Sequence, residues 1–355
     1  MNIVAIRLLS QQLAAPQFSD PAQVVAHMGA MQAQEYRMMR WAVSMRTKSP
    51  SLSAFRKAYE SKRIVRLHLM RGTWQLIAGE DYHWMLDLCA PRAMAIIKGW
   101  MSSNRITISD EELYRIREIL EQTAAEEGSV TKEGFADALV QRDIHMDDHR
   151  LSYHIRMAEL EGVLCSGDLQ PMKATYQLVP DAIKSAGSMD RDDALMRLAE
   201  KYFQSHGPAT LDDFVWWSGM NIGDCRKAID ALSNQLRCEE WNGLRFYLTE
   251  SCRVRGFKKG KTLLLPSFDE YLIGYKSRNI VLPTEYRHRA HNNNGTFYPV
   301  VVQDGIVCGN WMPFKDDLQV EYFDAKENSA SLSEEWAAYR RCSFLILVDS
   351  SVSYS

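Results

Sequence analysis

Two glutamines, Gln32 and Gln34, flank the small apolar residue Ala33 between two segments with helical periodicity. In an extended backbone, residues two apart project to the same side, whereas in a helix their directions diverge by roughly 200°. A break between the helices would therefore aim both carboxamides at one point. Two neutral amides that hold one water molecule would suit a substrate whose leaving group is already activated. Two solvated glutamines at a helix end would look the same in the local sequence.

The composition is that of an ordinary globular protein with several domains, because 355 residues with 46% hydrophobic and 25% charged residues exceed one comfortable core. No apolar run approaches the roughly 18 to 20 residues of a membrane span, and the N-terminus lacks a secretory pattern. We therefore expect a cytoplasmic protein that does not contact membranes.

Metal ions and nucleotide cofactors are not expected. The seven cysteines are scattered without a C-x-x-C pair, which is typical of reduced thiols and of neither a disulfide framework nor a zinc site. His68 and His83 lack a third ligand at suitable spacing. Glycine-rich phosphate motifs and a P-loop lysine are also absent, so an NTP-driven reaction is not expected.

The net charge is only −3, but basic residues concentrate in two runs, one between Arg37 and Arg71 and one between Arg253 and Arg289. Segregated charge of this kind can give a nearly neutral protein one basic face that follows a phosphate backbone. Solvated helix faces would have the same composition. The candidates for DNA contact are Arg37, Arg40, Arg66, Arg71, Lys276, Arg278, Arg287 and Arg289.

One architectural pattern recurs three times, with helices followed by a short β-hairpin. In the first occurrence Ser19-Asp20-Pro21 opens a helix, and the strands at 64–69 and 73–77 flank a turn at Arg71-Gly72. In the third, Asn242-Gly243 between apolar runs is a strong hairpin signal. Three helices and a hairpin form a winged helix, so the sequence predicts three winged helices in tandem.

After Ser251 the pattern changes to short strands, and a small barrel is the simplest interpretation. Strands are predicted at 262–265, 297–302, 306–311, 318–323 and 343–348, with a helix at 333–340. The predicted fold is thus α+β, with three tandem winged-helix motifs and a β-rich, barrel-like C-terminal domain. The predicted domains cover residues 1–95, 96–182, 188–252 and 253–355.

Several phrases, in order along nearly the whole chain, resemble the AlkZ-like DNA glycosylases, a winged-helix family that also includes the bacterial YcaQ-type crosslink-unhooking enzymes. The C-terminal phrase is long enough to be quite specific. The phrases are Gln32-Ala33-Gln34, Leu69-Met70-Arg71-Gly72-Thr73, Asp213-Phe214-Val215-Trp216-Trp217-Ser218-Gly219 and Leu264-Leu265-Pro266-Ser267-Phe268-Asp269-Glu270-Tyr271-Leu272-Ile273-Gly274-Tyr275.

The resemblance implies a C-shaped molecule that holds damaged double-stranded DNA in a concave channel, with Gln32 and Gln34 as the catalytic amides. The crosslink-unhooking variant often has aspartate at the second position, so this chain is more similar to the AlkZ side. Two positions differ from the family pattern. Gln75 stands where many relatives carry histidine, and Ser277 replaces an aspartate.

The implied activity is hydrolysis of the N-glycosidic bond of N7-substituted, cationic or bulky purines by a monofunctional glycosylase. An N7-alkylated purine already carries positive charge and leaves as a neutral base, so the enzyme needs only to place water and stabilise an oxocarbenium-like sugar. Neither amide is a strong base, so intact nucleotides, whose bases are not activated for departure, would react too slowly to be cleaved. Glu35 is the local alternative as general base, although it would point away from Gln34 in an extended chain.

Other functions remain open at this level. A non-catalytic winged-helix protein such as a transcriptional regulator would bind DNA through an operator-specific footprint. A scaffold that binds other proteins would have negligible affinity for DNA. Trp216 and Trp217 could stack on a base, but their helical setting favours core packing. The segment 287–295 could probe a DNA groove or form a plain exposed turn.

Overall fold

The computed structural model of the protein describes residues 2–180, 183, 189–324 and 332–343. Within these ranges the fold mixes helices with four antiparallel sheets. The helices are α1 (Ile3–Ser10), α2 (Pro21–Met28), α3 (Met39–Ser44), α4 (Leu52–Glu60), α5 (Tyr82–Ser103), α6 (Asp110–Glu127), α7 (Lys132–Val140), α8 (Asp148–Leu160), α9 (Arg191–His206), α10 (Leu211–Ser218), α11 (Ile222–Ala231), α12 (Glu270–Ile273), α13 (Arg287–Ala290) and α14 (Ser333–Cys342). The strands are β1 (Ala30–Gln32), β2 (Ile64–His68), β3 (Trp74–Ala78), β4 (Val130–Thr131), β5 (Leu164–Ser166), β6 (Thr175–Leu178), β7 (Leu236–Trp241), β8 (Leu244–Thr249), β9 (Thr262–Leu265), β10 (Val300–Gln303), β11 (Ile306–Phe314) and β12 (Asp317–Tyr322).

The first unit has the predicted helices and hairpin. Asp20 caps α2 by accepting a hydrogen bond from the Ala22 amide, and Pro21 occupies the first turn, where its missing N–H costs nothing. Gly29, with φ +76°, ends α2 and lets the chain turn directly into β1. Strand β1 then adds to the predicted hairpin in the order β1-β3-β2. The short strand that carries Gln32 was not predicted.

The second unit follows the same order of elements, and the third has three helices before a hairpin of two strands. Strands β4, β6 and β5 form the sheet of the second unit, and β7 pairs with β8 in the third. The predicted turn of that hairpin is confirmed, because Asn242 and Gly243 both have positive φ, at 50° and 73°. In α10, Thr210 and Asp213 form a reciprocal capping box that fixes the start of the helix.

Helix α5 was not predicted. It runs for 22 residues and contains Pro91. Its buried residues include Trp84, Met85 and Cys89, and it packs against both α8 and α9. The helix passes through residue 95, the predicted end of the first domain, and the domain boundaries themselves stay predictions.

The C-terminal region forms an open four-stranded sheet in the order β12-β11-β10-β9. No closed barrel is found among the described residues, and the predicted strand at 343–348 lies outside them except for Ser343. Two backbone carbonyls of the edge strand β9, Leu264 and Leu265, accept hydrogen bonds from the indoles of Trp41 and Trp311, each at 2.7 Å. Side chains of α14 also pack on this sheet. These contacts cover the β9 side of the sheet, which stays open.

Helix α9 brings the units together. It contacts α1, α2, α5 and α11, and its residues Leu198, Tyr202 and Phe203 are fully buried. The same apolar cluster includes Ala30 of β1 and Trp217 of α10. The strand that carries Gln32 therefore lies close to α9 and α10. In the described part of the chain, no helix combines the length and apolarity that a membrane crossing requires.

Candidate active site

Gln32 ends strand β1, where it pairs with Gln75 of β3. The residue is 7% exposed. The Ala33 amide extends the pairing by donating to the Trp74 carbonyl at 2.8 Å. The break between helices that the sequence predicts is therefore present, and its first residues are extended.

Gln34 differs from Gln32 in exposure. It lies in a bend after the strand and is exposed, and its side chain makes no hydrogen bond to any described residue. Glu35 binds the next arginine instead, with 3.1 Å between its carboxylate and Nε of Arg37. One amide is thus fixed within the protein and the other is open to solvent.

The carboxamide of Gln32 is held by Arg71. Nη2 of Arg71 donates to Oε1 of Gln32 at 2.7 Å, and Nη1 donates to the backbone carbonyl of Trp217. Because a guanidinium group only donates, this contact assigns the oxygen of the amide to the side facing Arg71. Arg71 is half-buried. Burial lowers its pKa, and the negative charge of Glu270 opposes that shift.

The backbone of Gln32 is held by Glu270, which is 1% exposed. The amide N–H of Gln32 donates to Oε1 of Glu270 at 2.6 Å. Oε2 of the same carboxylate accepts from the Trp217 indole at 3.1 Å and lies 3.2 Å from Nε2 of His206. Both carboxylate oxygens are therefore occupied.

The ionisation of this group follows from its partners. Burial by itself would raise the pKa of Glu270, but the hydrogen bonds from His206 and Gln32, with the charge of Arg71, outweigh burial and lower it. Burial lowers the pKa of His206. At neutral pH the pair is thus a carboxylate and a neutral imidazole.

These contacts join the four phrases on which the family resemblance was based. Gln32, Arg71, Trp217 and Glu270 come from four separate parts of the chain, and each is hydrogen-bonded to at least one other. Gly219 allows the close approach. It has φ +69°, and a Cβ at that position would lie 3.0 Å from Cγ of Arg71 and 3.4 Å from its backbone nitrogen.

Two of the predicted DNA-binding arginines lie inside the protein. Arg66 donates from Nε to the Ala33 carbonyl at 3.2 Å, and its guanidinium lies 4.5 Å from the centroid of the Trp74 ring. Arg40 donates to the carbonyls of Arg37 and Pro171, each at 2.9 Å. Both side chains are buried, so they support the segment around the two glutamines from within.

The other predicted DNA-binding residues reach the surface to different degrees. Arg287 and Lys276 are exposed, and Lys276 pairs with Asp212 at 2.9 Å. Arg37 and Arg289 are partly exposed and pair with Glu35 and Glu321.

Arg278 is half-buried between two aromatic rings, at 5.2 Å from the centroid of Trp216 and 4.8 Å from that of Phe297. Burial and the neighbouring charge of Arg287 lower its pKa to about 10. Its Nη2 has no hydrogen-bond partner among the described residues.

The two tryptophans, Trp216 and Trp217, differ in burial. Trp217 is fully buried, as its helical setting predicts, whereas Trp216 is 40% exposed and donates from its indole to the Ile273 carbonyl at 2.8 Å.

In the segment 287–295, the first four residues form α13 and the His291 ring stacks on Phe297. Residues 293–295 are exposed.

Asp269 and Glu270 are neighbours in the longest family phrase, but they have different partners. Asp269 forms a buried ion pair with Arg46 at 2.8 Å. Glu270 and His206 were missed as neighbours of Gln32. The available signal was the position of Glu270 within the longest family phrase, but the sequence alone does not reveal its contact with a residue 238 positions away.

A family model described as "DNA glycosylase AlkZ-like" matches residues 25–342. The chain belongs to the AlkZ-like DNA glycosylase family. A similar curated protein is the interstrand DNA cross-link repair glycosylase of Streptomyces sahachiroi, 25% identical over 340 residues that cover 92% of this chain and 91% of that protein. A similar solved structure is the DNA glycosylase AlkZ of the same organism. Its TM-score is 0.74 at 23% identity, with 96% of this chain and 95% of that chain covered, and it supports the fold.

Proposed function

We propose that this protein is a monofunctional DNA glycosylase that releases N7-substituted, cationic or bulky purines from damaged double-stranded DNA. The observation that carries the proposal is the fixed carboxamide of Gln32, whose oxygen accepts from Arg71 at 2.7 Å, within a motif of a glycosylase family. The exposed Gln34 lies two residues away, where an incoming nucleotide has access.

The proposed chemistry is heterolysis of the bond between C1′ of deoxyribose and N9 of the purine. The bonding electrons move to N9, and the positive charge of the alkylated ring is neutralised as the base departs. The oxygen of a water molecule then bonds to C1′, and its proton passes to solvent. No strong base is needed, because the sugar carries the electron deficiency and the positioning of water supplies the rate enhancement.

The two glutamines have different proposed roles. Oε1 of Gln32 has one lone pair engaged by Arg71, which leaves the second lone pair and the amide N–H groups of a preorganised side chain for water. Gln34 is exposed, and its carboxamide is open to the sugar of a bound nucleotide. Hydrogen bonding to a fixed amide orients water at a lower entropic cost than a mobile side chain would.

The finer architecture is part of the same proposal. The three units of helices and hairpin are winged helices that line a DNA channel, and the open C-terminal sheet supports them as a scaffold. The residues proposed to contact phosphates are Lys276, Arg287, Arg289, Arg278 and Arg37. The other three arginines support the segment around the glutamines by contacts inside the protein, and these are Arg40, Arg66 and Arg71. We also expect a cytoplasmic enzyme without a cofactor.

The test is base release from a duplex with one N7-methylguanine, read as strand cleavage at the abasic site after alkali. The wild-type protein should release the base in single-turnover conditions. Gln32→Ala and Gln34→Ala should each reduce the rate by about a hundredfold. Duplex affinity, measured by fluorescence anisotropy, should change by less than about threefold because neither residue carries charge.

Two outcomes would overturn the proposal. Base release at the wild-type rate by the double variant Gln32→Ala/Gln34→Ala would exclude the amides as catalytic residues. Tight DNA binding without any base release would instead support a non-catalytic DNA-binding protein. The matched control is Gln141→Ala, which removes an exposed glutamine that follows α7 and should release the base at the wild-type rate.

A further inference from the structure

Glu270 is a buried carboxylate for which the proposed chemistry gives no direct role. It starts α12 in the C-terminal region, yet its oxygens contact three other elements, namely β1 through Gln32, α9 through His206 and α10 through Trp217. Burying an ionised group costs several kcal/mol unless its partners compensate, so a carboxylate retained here needs a reason.

A role as general base is ruled out by its geometry. Glu270 is 1% exposed, and each oxygen already accepts at least one hydrogen bond from the protein. A water molecule that attacks a sugar could not reach either oxygen without breaking these contacts.

The contacts instead fix the position of Gln32 from two sides. Glu270 holds the backbone N–H of Gln32, and Arg71 holds its carboxamide oxygen. Trp217 links the two supports, since its indole donates to Glu270 and its carbonyl accepts from Arg71. A displacement of Glu270 would therefore move the peptide that carries the amide and loosen the second support.

The charge of Glu270 also acts on Arg71, since burial lowers the pKa of the Arg71 guanidinium and the negative charge of Glu270 opposes that shift.

We infer that Glu270 is a positioning residue that sets the backbone of Gln32, an inference that rests on the proposed catalytic role of Gln32. It acts across the molecule, because docking of the C-terminal region completes the support of a residue in the first unit. Glu270 acts through Gln32 and touches neither the base nor the sugar.

The main test is Glu270→Gln, which keeps the side-chain length and removes the charge. In single-turnover release of N7-methylguanine, we expect the maximal rate to fall by about tenfold to a hundredfold, because a misplacement of about 1 Å can cost that much. The concentration for half-maximal rate should stay within about twofold, since no DNA contact is lost. Hydrogen–deuterium exchange of the peptide covering residues 29–36 should become faster.

The matched control is Glu159→Gln. Glu159 is also 1% exposed and also pairs with a buried histidine, His68, but it does not contact Gln32. It should lower the melting temperature to a similar extent and leave both the maximal rate and exchange in residues 29–36 unchanged. If Glu270→Gln does not fold, Glu270→Asp keeps the charge but shortens the reach to the Gln32 amide, and the same loss of rate is expected.

A wild-type maximal rate in Glu270→Gln would overturn the inference, as would an equal loss of rate in Glu159→Gln. An inactive wild-type protein is a separate result, which would overturn the proposed function and with it any catalytic role for Glu270.

Discussion

In the basic run between Arg37 and Arg71, the guanidinium groups of Arg40, Arg46 and Arg66 are buried, whereas in the run between Arg253 and Arg289 the side chains of Lys276 and Arg287 are exposed. The buried groups donate to backbone carbonyls and to Asp269. Part of the first run thus forms an internal framework around the glutamine motif, whereas Lys276 and Arg287 of the second run offer their charge to solvent. Two runs of similar composition have different physical tasks.

The largest effect that would test this difference is on stability. Asp269→Asn removes the anionic partner of Arg46 and leaves a buried cation, which should lower the free energy of unfolding by about 3 to 5 kcal/mol. The matched surface variant is Asp212→Asn, whose pair with Lys276 is more than half exposed, and it should change that free energy by about 0.5 kcal/mol or less. Urea unfolding measures both. Equal changes would contradict the division into framework and surface charge.

A smaller effect, on the rate of base release, is expected at Arg71, which donates a hydrogen bond to the carboxamide of Gln32. Arg71→Lys keeps the charge but cannot donate to Gln32 and to the Trp217 carbonyl at once, so the maximal rate of base release should fall by about tenfold. Affinity for the duplex should stay the same. Arg117→Lys, a surface arginine paired with Glu161, serves as control. A fall in affinity with an unchanged rate would place Arg71 with the DNA-contacting residues instead.

The pH dependence of stability is a further test of the internal framework, because two histidines are buried in it. Burial lowers the pKa of His68 and His206 below the ordinary value of 6.5. Below about pH 6.5 the unfolded chain binds protons that the folded protein does not, so stability should be complete above this pH and decrease as the pH falls, by at most about 1.4 kcal/mol per pH unit for each histidine. Urea midpoints between pH 8 and 5.5 measure this slope. The exposed His145→Gln variant should follow the wild-type curve, and a midpoint that rises toward pH 5.5 would refute the prediction.

The smallest effect is expected from the exposed run. Arg287→Ala should weaken duplex binding by about threefold to tenfold at moderate salt and reduce the slope of log affinity against log salt by about 1. The melting temperature and the maximal rate should not change. Anisotropy titrations at several salt concentrations measure the slope, and a slope equal to that of the wild type would remove Arg287 from the DNA-contacting set.

Most helices and hairpins could be predicted from local signals. The Asp20-Pro21 start of α2, the capping box at Thr210 and the Asn242-Gly243 turn all act over a few residues, so the sequence carries them directly. Helix α5 was missed because it is buried on several sides and its apolar pattern is broad. Strand β1 was missed because three residues become a strand only when a hairpin more than 40 positions later offers an edge.

The candidate site also combines features that are visible in the sequence with features that only the fold decides. The glutamine pair, the segregated charge and the family phrases were visible in the chain, and the phrases pointed to the family that the family model shows. Which arginines face inward was not visible, because burial depends on what packs over a residue and not on its type. Local sequence determines caps and turns, since these need only near neighbours. Tertiary structure decided that Gln32 lies between Arg71 and Glu270, because hydrogen bonds between residues 39 and 238 positions apart form only when folded units meet.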